Sequence, residues 1–161
     1  MTLPPQIMLL HGLEGSSQGY KATYLRGIIP GLLTPDFRGS LGERMEQIYA
    51  IVGLKMNWTI IGSSFGGLMG ALFTCQRPQQ VKKLILLAPA LVWPEFAANP
   101  PSPVNNPTVI FHGDQDEILP VDIVQSLAER VFTNLQFVVV RDDHSLRKTV
   151  RSIDWKALVE G

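Results

Sequence analysis

A serine flanked by glycines is the residue of this sequence with the clearest capacity for chemistry. Ser64 lies at the centre of Gly62-Ser63-Ser64-Phe65-Gly66, which matches the pattern G-x-S-x-G. An apolar run precedes this pentapeptide, and a segment rich in glycine, alanine and leucine follows it, so we expect a sharp turn from a strand into a helix. Such a turn would push the Ser64 hydroxyl outward at a helix N-terminus, where free N–H groups favour negative charge. The pattern predicts a nucleophile at Ser64; the pentapeptide alone also fits a helix-capping serine.

A serine hydroxyl becomes a nucleophile when a base accepts its proton. The candidates are the three histidines of the chain, His11, His112 and His144. In hydrolases built on such a turn, the chain order is serine, then acid, then histidine. His112 precedes the acidic candidates and does not fit this order, whereas His11 ends an apolar run and is expected to tie down a loop. We therefore predict His144 as the base, with a solvated or helix-capping loop residue as the alternative.

The acid that orients this base is expected in the turn at residues 112–117, after an apolar run. Three side chains qualify there: Asp114, Asp116 and Glu117. Asp116 is preferred because it lies three residues beyond Gly113, past the tight turn, where it would orient His144 and stabilise the imidazolium. Asp114 is expected instead to hold the turn through bonds from its side chain to the backbone. The two aspartates directly before His144 are close in sequence, but adjacency does not secure the geometry.

A carbonyl attacked by serine develops negative charge, which N–H donors must stabilise. One donor is expected to be the backbone N–H of Phe65, directly after the nucleophile. The second should come from the loop at residues 11–16, where Gly12 and Gly15 permit a tight turn beside the serine. Leu13 is the predicted second donor.

Six continuous apolar runs are expected to form the strands that position these groups. They lie at residues 7–10, 32–34, 58–61, 84–87, 109–111 and 137–140. Runs without polar alternation are typical of strands covered on both faces, as in a parallel sheet. Segments with helical spacing separate them, at residues 19–29, 41–52, 65–76, 121–131 and 145–158. This alternation predicts an α/β fold built from right-handed crossovers.

Residues 88–107 interrupt the alternation of strands and helices. The segment contains six prolines together with Trp93 and Phe96, and we predict a loop where a helix would otherwise stand. Long loops in compact domains are often functional; the alternative is a loop that covers an edge of the sheet.

The composition excludes several classes of partner. Lys and Arg together number 14, as do Asp and Glu, so no net charge favours nucleic acid or an anionic membrane. The 45% apolar fraction is enough for one core, and we expect one domain over residues 1–161. Residues 1–5 contain no signal-peptide pattern, which favours a cytoplasmic location. The single cysteine, Cys75, lies in an apolar helical segment and is expected to be a small buried residue.

Taken together, the motifs resemble the α/β-hydrolase superfamily. His11-Gly12, the pentapeptide around Ser64, His112-Gly113-Asp114-Gln115-Asp116 and the late His144 occur in the order of that family. The sequence is most similar to small lidless bacterial esterases, which also carry Gly-Ser-Ser-x-Gly-Gly at the nucleophile. The resemblance implies a single-domain α/β-hydrolase fold with a six-stranded, mostly parallel sheet in the order 2-1-3-4-5-6. It also implies helices on both faces, no lid domain, and no metal or organic cofactor.

The resemblance further implies a serine hydrolase that cleaves carboxylic esters of small or medium acyl groups through an acyl-enzyme on Ser64. The predicted substrate contacts are Leu13, Leu91, Trp93, Phe96, Leu119 and Leu146. A thioesterase or an amidase would use the same triad, and a non-catalytic binding protein on the same fold is the alternative from another class. The expected partner is a small-molecule ester, and the sequence indicates no oligomeric state.

Overall fold

The computed structural model describes residues 6–161, and within them six strands form one sheet. The strands are β1 (Gln6–Leu10), β2 (Leu32–Leu33), β3 (Trp58–Ser63), β4 (Val81–Leu87), β5 (Thr108–Gly113) and β6 (Leu135–Val140). Their order across the sheet is β2-β1-β3-β4-β5-β6, and every neighbouring pair is parallel. The predicted α/β class, strand order and parallel sheet are confirmed.

Seven α-helices connect or follow these strands in the described part of the chain. They are α1 (Tyr20–Ile28), α2 (Leu41–Val52), α3 (Phe65–Gln76), α4 (Pro94–Ala97), α5 (Val121–Glu129), α6 (Arg147–Ser152) and α7 (Trp155–Glu160), with a 3₁₀ turn at Pro78–Gln80. The bounds of α2 and α3 are those predicted. At the start of α2, the Ser40 hydroxyl accepts the Glu43 N–H while the Glu43 carboxylate accepts the Ser40 N–H, which satisfies two otherwise free donors.

The single helix predicted at residues 145–158 is wrong, because the chain forms α6 and α7 there. Ile153 is extended, with φ −70° and ψ 134°, and so ends α6. Asp154 then begins α7, where its carboxylate accepts the Ala157 N–H at 3.1 Å. No glycine or proline marks this break, since a single extended residue and an Asp cap produce it.

The sheet lies between two apolar layers, which explains why its strands are continuous apolar runs. From β1, Met8 and Leu10 pack on one face with α2, α3 and α5. Ile7 and Leu9 pack on the other face with α1, α6 and α7. Successive side chains of a strand point to opposite faces, so a strand covered on both sides has no polar position. Helices therefore lie on both faces of the sheet, as predicted.

Residues 88–107 are not wholly a loop, since they include α4. Leu91 and Phe96 are fully buried in the layer that contains α3 and α5. Val104 forms an isolated parallel bridge with Phe132, after α5. The segment thus packs Leu91 and Phe96 into the core, whereas Trp93 is exposed.

Cys75 in α3 is partly buried against the same layer. Burial raises the pKa of its thiol to about 12, so the thiol is protonated at neutral pH and a poor nucleophile. No helix within residues 6–161 is both long and apolar enough to cross a bilayer. The absence of a signal-peptide pattern concerns residues 1–5, which lie outside the described residues.

Candidate active site

The turn between β3 and α3 holds Ser64 in a strained backbone conformation. Its φ of 55° and ψ of −116° are rare for a residue with a side chain. Neighbouring backbone groups keep it there, because the Ser64 N–H donates to Leu87 O at 2.9 Å and its carbonyl accepts the Ala90 N–H at 2.9 Å. The strand end next to β3 therefore fixes the turn that presents the Ser64 side chain.

The glycines on either side of Ser64 are required by close backbone contacts. A Cβ atom on Gly62 would lie 2.5 Å from the Gly66 carbonyl oxygen. A Cβ on Gly66 would lie 2.0 Å from the Leu10 carbonyl oxygen, at the end of β1. Neither backbone oxygen can move aside as a flexible side chain would, so the steric reason for the G-x-S-x-G pattern is present in this chain.

The three predicted catalytic side chains lie in one hydrogen-bonded series. The Ser64 Oγ is 3.1 Å from His144 Nε2, and His144 Nδ1 is 2.8 Å from Asp116 Oδ2. Because the carboxylate accepts at Nδ1, the neutral imidazole carries its proton there and leaves the Nε2 lone pair facing the serine. The His144 side chain is 23% exposed and the Asp116 side chain is fully buried. Solvent therefore reaches the imidazole but not the carboxylate that orients it.

Asp116, rather than Asp114, holds the turn after β5. Its Oδ1 accepts the Ile118 N–H at 2.9 Å and the Leu119 N–H at 2.8 Å. The Asp114 side chain is exposed and makes no hydrogen bond within the described residues, so the role predicted for it is wrong. Asp116 thus has two partners at Oδ1 from its own turn and leaves Oδ2 for His144.

His112 also contacts this carboxylate, which the sequence pattern did not indicate. Its Nε2 is 2.7 Å from the Leu119 carbonyl oxygen and 3.3 Å from Asp116 Oδ2. Burial lowers the pKa of His112, and the neutral ring that results must carry its proton on Nε2 to donate to Leu119. The ring also stacks on Phe137, with 6.3 Å between centroids. A histidine that follows a strand and precedes Gly-Asp was the only signal in the sequence, and it does not specify this contact.

The loop after β1 lies against the Ser64 turn. A Cβ on Gly12 would be 3.5 Å from the Ser64 Cβ and 4.0 Å from the Phe65 nitrogen. His11 anchors the loop as predicted, because its Nε2 accepts the Phe37 N–H at 2.8 Å and its Nδ1 lies 2.7 Å from Gly12 O. Within the described residues, the N–H groups of Leu13 and Phe65 donate to no protein acceptor. Both predicted donors are thus available to a ligand.

Arg44 of α2 is a second residue that sequence reasoning missed. Its Nε donates to Gly39 O at 2.9 Å, and its Nη2 lies 3.5 Å from Leu13 O. Its guanidinium carbon is 5.5 Å from the centre of the Phe65 ring. The residue is only 6% exposed, and burial lowers the pKa of its guanidinium. One buried cation therefore contacts both residues predicted as N–H donors, although in sequence it is an ordinary helix residue.

Four of the residues predicted to contact substrate lie in the core instead. They are Leu91, Phe96, Leu119 and Leu146, none of which is more than 6% exposed. Their places near the candidate triad in sequence did not reveal that their side chains point into the apolar layers. Trp93 is 38% exposed and meets Phe65 edge to face at 5.1 Å between ring centres. Leu13 is 50% exposed, so these two side chains remain to contact a ligand.

A metal site is not formed by the usual ligands in the part of the chain that the structure describes. No group of three His, Cys, Asp or Glu side chains within residues 6–161 is arranged to hold a metal ion.

A scan against protein-family models finds no match for the chain, and a search of curated proteins finds none either. Solved structures match over nearly its whole length. "Alpha/beta hydrolase domain-containing protein 10 from mouse" aligns with a TM-score of 0.76 and 17% identity, over 98% of this chain and 91% of that one. Est1E from Butyrivibrio proteoclasticus, with ferulic acid bound, aligns with a TM-score of 0.73 and 19% identity, over 98% and 86% of the chains. A thermophilic esterase from Thermogutta terrifontis, with malate bound, gives 0.74 and 15%, over 98% and 91%. At these identities the likeness shows the fold alone.

Proposed function

From the premise that this chain has the α/β-hydrolase fold, we propose that it is a serine hydrolase that cleaves carboxylic esters through an acyl-enzyme on Ser64. The observation that carries the proposal is the hydrogen-bonded series from Ser64 through His144 to Asp116, which begins at a strained serine. A helix-capping serine would not need an imidazole at hydrogen-bond distance with a buried carboxylate behind it. One structural neighbour, from Thermogutta terrifontis, is an esterase, which is consistent with ester chemistry.

In the proposed acylation step, Ser64 Oγ attacks the ester carbonyl carbon while its proton passes to His144 Nε2. The Asp116 carboxylate stabilises the resulting imidazolium through the bond at Nδ1. The imidazolium then donates its proton to the departing alkoxide, and the alcohol leaves. In deacylation, His144 takes a proton from water, the hydroxide attacks the acyl carbon, and Ser64 regains its proton as the acid is released.

The tetrahedral oxyanion of each step is assigned to the N–H groups of Leu13 and Phe65. Both are free of protein acceptors within the described residues, and the loop that carries Leu13 packs on the Ser64 turn. Removal of one such donor in other hydrolases costs about 10²–10³ in kcat. Arg44 supports this assignment because its guanidinium contacts both residues, at the Leu13 carbonyl and at the Phe65 ring.

The exposed apolar surface beside Ser64 favours small or medium acyl groups. Four of the predicted contact residues are in the core, so Leu13 and Trp93 are left to line the acyl position. An extended fatty acyl chain would need a longer apolar groove than these two side chains supply. We therefore expect kcat/KM for 4-nitrophenyl esters to be highest between acetate and hexanoate and to fall for longer chains.

The proposal is tested by labelling the folded protein with a fluorophosphonate, which reacts with activated serines. We expect labelling of the wild type and of Ser63→Ala, a matched control at the adjacent buried serine, and none of Ser64→Ala. Mass spectrometry of the labelled peptide locates the adduct, and circular dichroism confirms that each variant is folded. Folded wild-type protein that is not labelled and cleaves no 4-nitrophenyl ester would instead favour a binding protein.

The leaving group is tested with an ester, a thioester and an amide of the same acyl group. The proposal expects the ester to have the highest kcat/KM and the amide to have none that is measurable. A thioester preference with the same Ser64 dependence would retain the mechanism and replace the substrate class.

A further inference from the structure

A cavity of about 170 Å³, lined by both polar and apolar residues, adjoins the candidate active site and takes no part in the mechanism above. Ser63 and Ser145 line it, and these are the chain neighbours of Ser64 and His144. Gly12, the chain neighbour of Leu13, lines it as well. Since a water molecule occupies about 30 Å³ of liquid, the volume is sufficient for a small polar group. A group bound there would therefore lie beside the chain neighbours of Ser64, His144 and Leu13.

Lys21, in the first turn of α1, brings a positive charge to this cavity. It is half-buried, and its ammonium has no hydrogen-bond acceptor or carboxylate within 4 Å among residues 6–161. Burial lowers the pKa of Lys21, and the nearby Arg147 lowers it further. A cation in this situation is stabilised by a bound anion, because an anion restores the interactions that burial removes.

The carboxylates nearest to Lys21 already have other partners. Asp142 and Asp143 act on Lys21 by their charge and raise its pKa, but less than burial lowers it. Asp142 Oδ2 accepts from the Thr149 N–H and hydroxyl at 2.9 and 2.8 Å. Asp143 Oδ1 accepts from the Ser145 N–H and hydroxyl at 3.0 and 2.6 Å. Neither aspartate therefore supplies the missing partner for the ammonium.

Arg147, at the start of α6, places a second positive charge on the wall of the cavity. Its guanidinium carbon lies 4.6 Å from the centre of the Tyr20 ring, which also lines the cavity. The Tyr20 hydroxyl accepts from Arg151 Nε at 2.6 Å, so the ring on which the Arg147 guanidinium stacks is itself held in place. No carboxylate lies within 4 Å of the Arg147 guanidinium in the described residues.

We propose that this cavity, with Lys21 and Arg147, is a subsite for an anionic group of the substrate, a carboxylate or a phosphate. The inference rests on the proposed function and narrows its substrate class to esters that carry a negative charge near the scissile bond. Two cations without carboxylate partners face one cavity, and that cavity borders the residues next to Ser64, His144 and Leu13. Neutral esters remain substrates but lack this interaction.

The test compares charged and neutral esters of equal size. The first pair is mono(4-nitrophenyl) adipate and the corresponding carboxamide, with the charge on the acyl side. The second pair is the hexanoate ester of 4-hydroxybenzoate and that of 4-hydroxybenzamide, with the charge on the alcohol side. A charge-assisted hydrogen bond contributes about 1.5–3 kcal/mol, so kcat/KM should favour the charged member of one pair by about tenfold or more.

The variants are Lys21→Met and Arg147→Met, with Lys148→Met as the matched control on the same helix and outside the cavity lining. We expect the charged-to-neutral ratio to fall to about one in Lys21→Met and part of the way in Arg147→Met, and to stay unchanged in Lys148→Met. The ratio is insensitive to a general loss of folded protein. An unchanged ratio in Lys21→Met, or no charge preference in either pair for the wild type, would overturn the subsite.

A binding measurement separates this proposal from the proposed function. Adipate and inorganic phosphate are titrated into wild type and Lys21→Met by calorimetry, and binding should be present in the wild type and lost or at least tenfold weaker in the variant. The stronger of the two anions identifies the group. If neutral esters are cleaved through Ser64 but neither anion binds, the subsite is wrong and the hydrolase proposal stands. If the anions bind through Lys21 but no ester is cleaved, the anion site stands and the hydrolase proposal is wrong.

Discussion

At the scale of single residues, Asp116 combines a structural role with a proposed chemical one. Oδ1 accepts two backbone N–H groups of its own turn, and Oδ2 lies within 3.3 Å of both His144 Nδ1 and His112 Nε2. The side chain is fully buried, so removal of the carboxylate would leave several donors without water to replace it. The two roles can be separated by substitutions of different shape.

Asp116→Asn keeps the size of the side chain and an oxygen that can accept from the turn. It loses the negative charge, and it no longer presents only acceptor atoms to His144 Nδ1. We expect ester kcat to fall by about 10⁴, as when the acid of other triads is replaced by its amide. The free energy of unfolding should change little. Asp116→Ala should lose a similar amount of activity and, because it leaves the buried Leu119 N–H without a partner, about 1–3 kcal/mol of stability.

Steady-state kinetics of ester hydrolysis measure the change in kcat, and urea unfolding followed by circular dichroism measures the change in the free energy of unfolding. An asparagine variant that retains most of its kcat would remove Asp116 from the mechanism.

The lowered pKa of His112 leads to a prediction of how the free energy of unfolding depends on pH. Its pKa is lowered by burial in the folded state, whereas in the unfolded chain it is about 6.5. Between these values, only the unfolded state binds the proton, so the free energy of unfolding decreases as the pH falls below about 6.5, by at most about 1.4 kcal/mol per pH unit. In His112→Gln, where an amide can still donate to Leu119, this part of the slope should disappear. Urea titrations between pH 5 and 8 measure it, and an equal slope in the variant would contradict the assignment.

The residues that the sequence could identify are those whose role follows from chain order. Ser64 sits in a pentapeptide with a steric meaning, and His144 and Asp116 follow it in the expected order. The contact of His112 with Asp116 depends on how one turn closes, and that of Arg44 with Leu13 joins residues 31 positions apart. No local pattern encodes such contacts, which is why Asp114 received the role that Asp116 has.

At the scale of elements, the passage from β3 to α3 depends on how closely the helix approaches β1. The backbone oxygen of Leu10 would be 2.0 Å from a Cβ on Gly66, and that of His11 would be 2.6 Å away. Both belong to the end of β1 or its loop, which also carries the proposed donor Leu13. A side chain at position 66 would therefore both separate α3 from β1 and disturb the Ser64 turn.

Gly66→Ala should lower the free energy of unfolding by about 3 kcal/mol, because the clash is with backbone atoms that cannot move aside. Gly27→Ala is the matched control, since this glycine lies in α1 with no atom within 4 Å of a built Cβ. There the lower flexibility of alanine in the unfolded chain should raise stability by about 0.5–1 kcal/mol. Urea unfolding compares the two variants, and an effect of Gly66→Ala no larger than a few tenths of a kcal/mol would disprove the steric account.

The bounds predicted for α2 and α3 are also those at which the structure shows a local stop or start signal. The Ser40–Glu43 box marks the start of α2, and the glycine pattern marks that of α3. Strand β4 begins at Val81 instead of residue 84 because Lys82 and Lys83 interrupt the apolar run while their backbone remains in the sheet. The division of the last helix at Ile153 depends on one extended residue, for which the sequence has no distinctive marker.

At the scale of the whole molecule, the proposed site joins the most buried strand of the sheet to an exposed edge. All six residues of β3, which precedes Ser64, are buried, and β3 lies between β1 and β4. No residue of β6, which precedes His144, is buried, and within residues 6–161 β6 pairs with β5 alone. The loop with His144 is fastened to the six-residue helix α6 through the bonds from Thr149 to Asp142.

Because edge segments with few buried contacts open at a lower free energy than the core, we expect the activity to be lost before the fold. In a urea titration, fluorophosphonate labelling and ester cleavage should reach their midpoints about 0.5 M or more below the unfolding midpoint from circular dichroism. With a slope of about 2 kcal/mol per molar urea, this corresponds to an edge about 1 kcal/mol less stable than the core.

Hydrogen exchange should be faster in β6 than in β3. Thr149→Val removes one hydrogen bond to Asp142 and should widen the gap between the midpoints. Thr133→Val is the control and should leave the gap unchanged, because the Thr133 hydroxyl donates to Val104 O and not to the His144 loop. Coincident midpoints in all three proteins would mean that His144 is held as firmly as Ser64, and that the site and the sheet unfold as one unit.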